Sequence, residues 1–238
     1  MNNFQKNSLA LFSRQMMVDE IGFKGQQKIN NAKILVIGAG GLGCPVLQYL
    51  ASCGVGTIGV IDFDKIEIHN LHRQILYGIE DIGKQKVVVA EEKLKKNYPH
   101  ITIISFNELL TEQNAESVFS QFEIIVDGSD NFYTRYLVND TCVELNKPLV
   151  YGSILNFEGQ VSVFNVNGSK NLRHIFPEFP NAEDVPNCDE NGVLGALPAI
   201  IGSMMALETL KLIIGLPVLI NQLLIIKTLN WEVKKINF

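Results

Sequence analysis

Along this chain, short uninterrupted apolar runs alternate with longer stretches in which apolar positions recur every three or four residues. The run at 33–37 (KILVI) is branched and apolar almost throughout, the composition of a strand buried on both faces. Gly38-Ala39-Gly40-Gly41-Leu42-Gly43 follows at once, and residues 45–51 then space their apolar side chains as a helix does. A second strand is predicted at 57–62 (TIGVID), after a turn at Gly54 and Gly56. Strand, glycine turn, helix and strand make a βαβ unit with a right-handed crossover. The alternation continues with an amphipathic helix over 84–97, strands over 101–106 and 122–127, a helix over 135–146 and a strand entering at 148–151.

After Tyr151 the texture changes. Residues 159–166 alternate with period two, as antiparallel strands do, and 167–191 form a loop-like stretch carrying Pro177, Pro180 and Pro186. The most apolar segment, 193–220, is interrupted by Pro198, Glu208 and Lys211, which predicts a buried helix with a proline near its start and not a membrane span. Two closing strands are predicted at 223–227 and 231–236. There is no internal repeat. The expected fold is α/β, a doubly wound Rossmann-like mixed sheet with antiparallel C-terminal strands.

Composition narrows the function. With 47% apolar residues the 238-residue chain is not a disordered one, and a net charge of −5 without any run of Lys or Arg argues against a nucleic-acid footprint. The four cysteines, Cys44, Cys53, Cys142 and Cys188, form no C-x-x-C pair, so neither a disulfide framework nor a four-thiolate zinc knuckle is expected. Cys44 and Cys142 fall on apolar helix faces and are expected to be small buried hydrophobes. The first 12 residues lack the apolar core of a signal peptide, which makes the expected compartment the cytoplasm.

Candidate chemistry begins at the glycine turn. Gly38, Gly40 and Gly43 satisfy G-x-G-x-x-G between a strand and a helix, where backbone amides cradle phosphate. Asp62, at the end of the next strand, can accept hydrogen bonds from ribose hydroxyls. These features point to an adenine nucleotide without separating NAD from ATP. Asp64, Asn70, Arg73, Gln74 and Lys86 follow. A triphosphate losing pyrophosphate needs several cations, which Arg73 and Lys86 can supply; read alone, without the rest of the pattern, Lys86 is rather one of several solvated helix-face lysines. At the end of the 122–127 strand, Asp127-Gly128-Ser129-Asp130-Asn131 puts carboxylates where open α/β sheets bind ligands, Asp127 as a strand-end cap or a ligand and Asp130 reaching outward to magnesium.

Together with Phe12-Ser13-Arg14-Gln15, Gly83-Lys84, Phe176-Pro177-Glu178 and Val185-Pro186-Asn187-Cys188, these motifs resemble the MoeB/ThiF/HesA family, bacterial relatives of the ubiquitin-activating enzymes, over roughly residues 11–231. The resemblance implies a single adenylating domain, 1–238, with an N-terminal helical arm (1–30), a nucleotide-binding half (31–151) and a carrier-binding and dimer half (152–238). It implies a homodimeric adenylyltransferase that uses ATP and Mg2+ to activate the C-terminal glycine of a ubiquitin-like sulfur-carrier protein ending in Gly-Gly, for thiamin or molybdopterin sulfur transfer, with a sulfurtransferase as a further partner.

Carried over by position, Gly38, Gly40, Gly41, Gly43, Asp62 and Asp64 would hold ATP with His69, Asn70, Arg73, Gln74, Lys86, Asp130 and Asn131. Asp130 would take magnesium and Arg14 would reach the neighbouring subunit's site. His69-Asn70-Leu71 stands where the family has Ser-Asn-Leu. Zinc-binding members carry two C-x-x-C pairs; one position reads Asn171-Leu172-Arg173-His174 here and the other pair is missing, so no zinc is expected. Cys188 is either the acceptor of the activated carrier or a loop cysteine without essential chemistry. Other readings are a threonylcarbamoyladenosine dehydratase-like adenylyltransferase, a nicotinamide-dependent oxidoreductase and an inactive partner subunit.

Overall fold

Alternate residues of β1 (Lys33–Ile37) serve opposite faces of a sheet: Ile34 and Val36 enter one apolar layer, Leu35 and Ile37 the other, all at 3% exposure or less. That double burial is why the run needs no polar alternation. β2 (Thr57–Ile61), β3 (Thr102–Phe106), β4 (Ile124–Asp127) and β5 (Leu149–Leu155) run parallel to it. β6 (Glu158–Phe164), β7 (Gln222–Lys227) and β8 (Glu232–Asn237) extend the sheet antiparallel. The computed structural model describes residues 10–179 and 192–238. Among these, the sheet order is β3-β2-β1-β4-β5-β6-β7-β8.

The helices are α1 (Ser13–Met16), α2 (Gly22–Asn31), α3 (Gly43–Ser52), α4 (Lys86–Asn97), α5 (Glu112–Phe119), α6 (Phe132–Glu144) and α7 (Ala196–Ile214). Residues of α2, α3, α4 and α7 join the apolar layer on one face and residues of α5 and α6 that on the other, so the sheet is doubly wound. From β1 the chain moves outward to β2 and β3, then returns to the opposite side of β1 as β4. Strand order reverses there, the place where open α/β sheets form a ligand crevice at the carboxyl ends of their strands.

α7 is long and apolar enough to cross a membrane, but it lies in the core. Met205 and Ile201 pack so tightly on Gly152 of β5 and Gly159 of β6 that a Cβ on either glycine would come within 2.2 Å of them. Pro198 sits in its first turn, where the missing N–H costs nothing, and the buried Glu208 accepts from Lys211 and from the amide of Leu219.

Two helices differ from expectation. α6 starts at Phe132, three residues early, because Asn131 caps it: its Oδ1 accepts from the amide of Thr134 at 2.9 Å. α5 has no counterpart among the predicted elements; at its start the Asn114 side chain accepts from the Thr111 amide at 2.8 Å. The 167–191 stretch holds a 3-10 turn at Leu172–His174. Cys44 and Cys142 are fully buried, as expected, and burial pushes the Cys44 thiol up to about 12.

Candidate nucleotide site

The glycine turn leaves β1 with Gly38 at φ +85°, a left-handed conformation that strains any residue with a Cβ. Its amide donates to Ile61 of β2 at 2.9 Å, and a Cβ there would lie 3.0 Å from the carbonyl oxygen of Gly128, so the turns after β1 and β4 touch at the switch point. Gly43 lets α3 close on the turn, since a Cβ on it would sit 1.9 Å from the Gly38 carbonyl oxygen.

Between these turns opens a cavity of about 430 Å3. One wall carries Gly38, Gly40, Gly41, Asp62, Asp64, Arg73, Gln74 and Lys86; Asp130 and Asn131 come from the turn after β4. The other wall is Tyr151, Ser153 and Leu155 of β5 with Glu158 and Gln160 of β6. Gln74 is 3% exposed and its Oε1 has no hydrogen-bond partner among the described residues, a polar atom left for a ligand.

Lys86, the first residue of α4, is 5% exposed and donates to Asp64 Oδ2 at 2.6 Å. That settles its ambiguity in the sequence: it is not a solvated helix-face lysine. Arg73 is held at Nη1 by the carbonyl of His69 at 3.0 Å. Asp62 accepts from the amides of Ala39 (2.7 Å) and Asp64 (2.8 Å). Burial raises its carboxyl, and Lys86 and the two amides oppose that rise without cancelling it.

Asp127 ends β4 at 1% exposure and does not line the cavity. Its Oδ1 accepts from both the amide (2.9 Å) and the hydroxyl (2.6 Å) of Ser129. Arg135 of α6, itself 7% exposed, donates to the carbonyls of Ser129 and Gly152, each at 2.7 Å, and stands 3.7 Å from Asp127 Oδ2. That oxygen has no hydrogen-bond partner among the described residues; the guanidinium answers it as a charge. Burial pushes the Asp127 carboxyl up, against the pull of Arg135 and Ser129. Asp130 is exposed and presents its carboxylate on the cavity wall. As a hard oxygen donor in the cavity that also holds Arg73 and Lys86, it fits a magnesium ligand.

Four expected site residues are not in the cavity lining. Asn70 is buried at 6%, and its Oδ1 caps the 3-10 turn Ile68–Asn70 by accepting from the Glu67 amide. The His69 ring points to Glu67, and only its carbonyl serves the site, through Arg73. Gly43 packs behind the turn, and Arg14 is exposed on α1. Asn131 lines the cavity, but its side-chain oxygen is committed to capping α6. Cys188, with Val185, Pro186 and Asn187, lies outside the described residues. Sequence reasoning missed Arg135; its signal was a single cation inside the helical run FYTRYLV, four residues after the Asp130-Asn131 turn ends.

A glycine turn at a switch point, an aspartate after β2 and three cations, Arg73, Lys86 and Arg135, lining the same cavity define a nucleotide-binding α/β protein equipped for phosphate chemistry. The ThiF family model matches residues 12–238, and the chain belongs to that family. It is 45% identical over 216 residues to the sulfur carrier protein adenylyltransferase of Thermus thermophilus, covering 89% of this chain and 80% of that one. To the adenylyltransferase and sulfurtransferase MOCS3 of Aedes aegypti it is 46% identical over 90% of its own length but spans only 49% of the relative. Among solved structures, E. coli MccB with ATP superimposes with a TM-score of 0.77 at 24% identity, covering 90% of this chain and 65% of MccB, a likeness of fold. Membership of this family displaces the oxidoreductase reading.

Proposed function

We propose that this ATP-dependent adenylyltransferase activates the C-terminal glycine carboxylate of a small ubiquitin-like sulfur-carrier protein. One observation carries the reading: Arg73 and Lys86, the glycine turn and Asp130 share one cavity whose opposite wall is the β5–β6 hairpin. A carboxylate is a poor electrophile. Its attack on the α-phosphorus of ATP gives an acyl-adenylate and pyrophosphate, and makes later transfer to sulfur feasible. Lys86 and Arg73 offset the charge that grows on the departing pyrophosphate, and the Gly40 and Gly41 backbone holds the phosphates in line. Magnesium, held by Asp130, would supply further neutralisation of the phosphates. The 152–238 half would bind the carrier and a second copy of the chain, with Arg14 completing the neighbour's site. The reading includes thiamin or molybdopterin sulfur transfer as its setting, a separate sulfurtransferase as a partner, and no zinc.

The test is carrier-dependent exchange of labelled pyrophosphate into ATP with magnesium. Asp130→Ala and Arg73→Ala are each expected to reduce exchange to near background; exchange unchanged in both refutes the assignment. Cys188→Ala is expected to keep exchange, which places any covalent step after adenylation. Elemental analysis finding one zinc per chain contradicts the zinc-free reading.

A further inference from the structure

Ala39, second in the glycine turn, is fully buried, and the peptide groups on both sides of it are tied down. Its amide donates to Asp62 Oδ2 at 2.7 Å. Its carbonyl accepts from the hydroxyl of Tyr77 at 2.8 Å and, more weakly, from the thiol of Cys44 at 3.4 Å. Tyr77 is 7% exposed, and neither it nor Cys44 lines the cavity. Both donors therefore draw the carbonyl away from the ligand side.

The direction of that pull has a geometric result. A trans peptide is planar, and its C=O and N–H point opposite ways. The carbonyl of Ala39 and the amide of Gly40 belong to one such plane. Holding the first against Tyr77 turns the second outward, and Gly40 is on the cavity wall. An outward amide at the approach to α3 is what an anion meets at a helix N-terminus. Tyr77 is also tied to the stretch of chain that carries the cations: its own amide donates to the carbonyl of Gln74 at 3.1 Å. Burial, with Cys44 and Asp62 nearby, raises the phenol well beyond its ordinary range, so the hydroxyl remains a donor throughout.

We propose that Tyr77 is a positioning residue for the nucleotide's phosphates, its hydroxyl aiming the Gly40 amide at them from outside the cavity. This rests on the ATP reading above. Calorimetric binding of ATP and of adenosine to the full chain tests both. Tyr77→Phe keeps the ring in the core and removes the hydroxyl. It is expected to weaken ATP about tenfold while adenosine, which has no phosphate, changes less than about twofold. Cys44→Ala, removing the weaker donor, is expected to cost less than Tyr77→Phe. ATP bound by Tyr77→Phe as tightly as by the unsubstituted chain overturns the proposal, as does an equal loss of ATP and adenosine, the mark of general structural damage. An unsubstituted chain that binds neither compound overturns the nucleotide reading itself. Should Tyr77→Phe not fold, amide exchange in the unsubstituted chain decides. Protection of the Gly40 amide by ATP and not by adenosine is expected; a chain that binds ATP without protecting Gly40 refutes the role.

Discussion

Arg135 donates from Nη2 to the carbonyl of Ser129 at 2.7 Å, on the buried side of the turn that presents Asp130. Asp127 takes the amide and hydroxyl of the same serine, so Ser129 is held at every polar atom by an Asp–Arg pair, of which Arg135 also lines the cavity and Asp127 lies behind it. Removing Arg135 leaves a buried carboxylate without its cation. Arg135→Met is expected to lose about 3–5 kcal/mol of stability in urea denaturation near pH 8. Without Arg135 the Asp127 carboxyl, already raised by burial, rises further. Protonation then relieves the penalty, so the deficit shrinks as pH falls toward 5. Arg135→Lys is expected to recover part of the stability but less of the exchange activity, since an ammonium cannot fork between two carbonyls.

The proposed reach of Arg14 into a second copy has a test that activity of one chain cannot supply. Arg14→Ala and Lys86→Ala chains are each expected to lose exchange alone. Mixed and allowed to reassociate, they form heterodimers with one intact site, restoring about a quarter of the site activity under random twofold pairing. No recovery on mixing argues that Arg14 acts in its own chain or not at all.

Asp81 predicts an acid-sensitive clamp. Burial would raise this carboxyl, but Lys93, the Gly78 amide (3.0 Å) and Lys84 (3.1 Å) outweigh it and bring it down to about 2. A carboxylate near 3.9 when unfolded and about 2 when folded contributes about 2 kcal/mol above pH 4, lost as pH falls toward 2. The stability gap between the unsubstituted chain and Asp81→Asn is expected to be constant from pH 5 to 7 and to narrow below pH 4. A gap independent of pH contradicts the clamp.

Gly43→Ala places a methyl 1.9 Å from the Gly38 carbonyl oxygen, a backbone atom that cannot swing aside. The expected cost is about 3 kcal/mol with loss of ATP binding. Gly83→Ala is the control. Its Cβ meets nothing within 4 Å, though its φ of +85° adds local strain, and ATP binding should persist.

Elements buried on both faces are plain in the sequence. Residues 33–37 could hardly be anything but an interior strand, and the Gly38–Gly43 spacing places the glycine turn after it. What periodicity does not carry is which way a lone polar residue faces. Lys86 fits a solvated helix face as well as a cavity wall, and only the tertiary packing of α4 decides. Asn70 has the chemistry of a ligand-binding residue, and its Oδ1 is engaged by the amide of Glu67 in its own turn. Arg135 has the look of a surface cation on a helix and is buried because Asp127, on a neighbouring strand, needs its charge. α5 is invisible because eight residues give too little periodicity, and its cap comes from Thr111 and Asn114.

The register of β5 divides the strand in two. Its first three residues, Leu149 to Tyr151, pair with both β4 and β6, whereas Gly152 to Leu155 pair with β6 alone. The strand thus runs past the end of its parallel neighbour and carries Ser153 and Leu155 onto the cavity wall like a cantilever, braced by β6, by Met205 packed on Gly152 and by Arg135 on the Gly152 carbonyl. Gly152, at the root of that overhang, shares Arg135 with the turn that presents Asp130, so both are tied to one guanidinium. What the overhang admits to the cavity and where Asp130 stands are therefore coupled through one side chain.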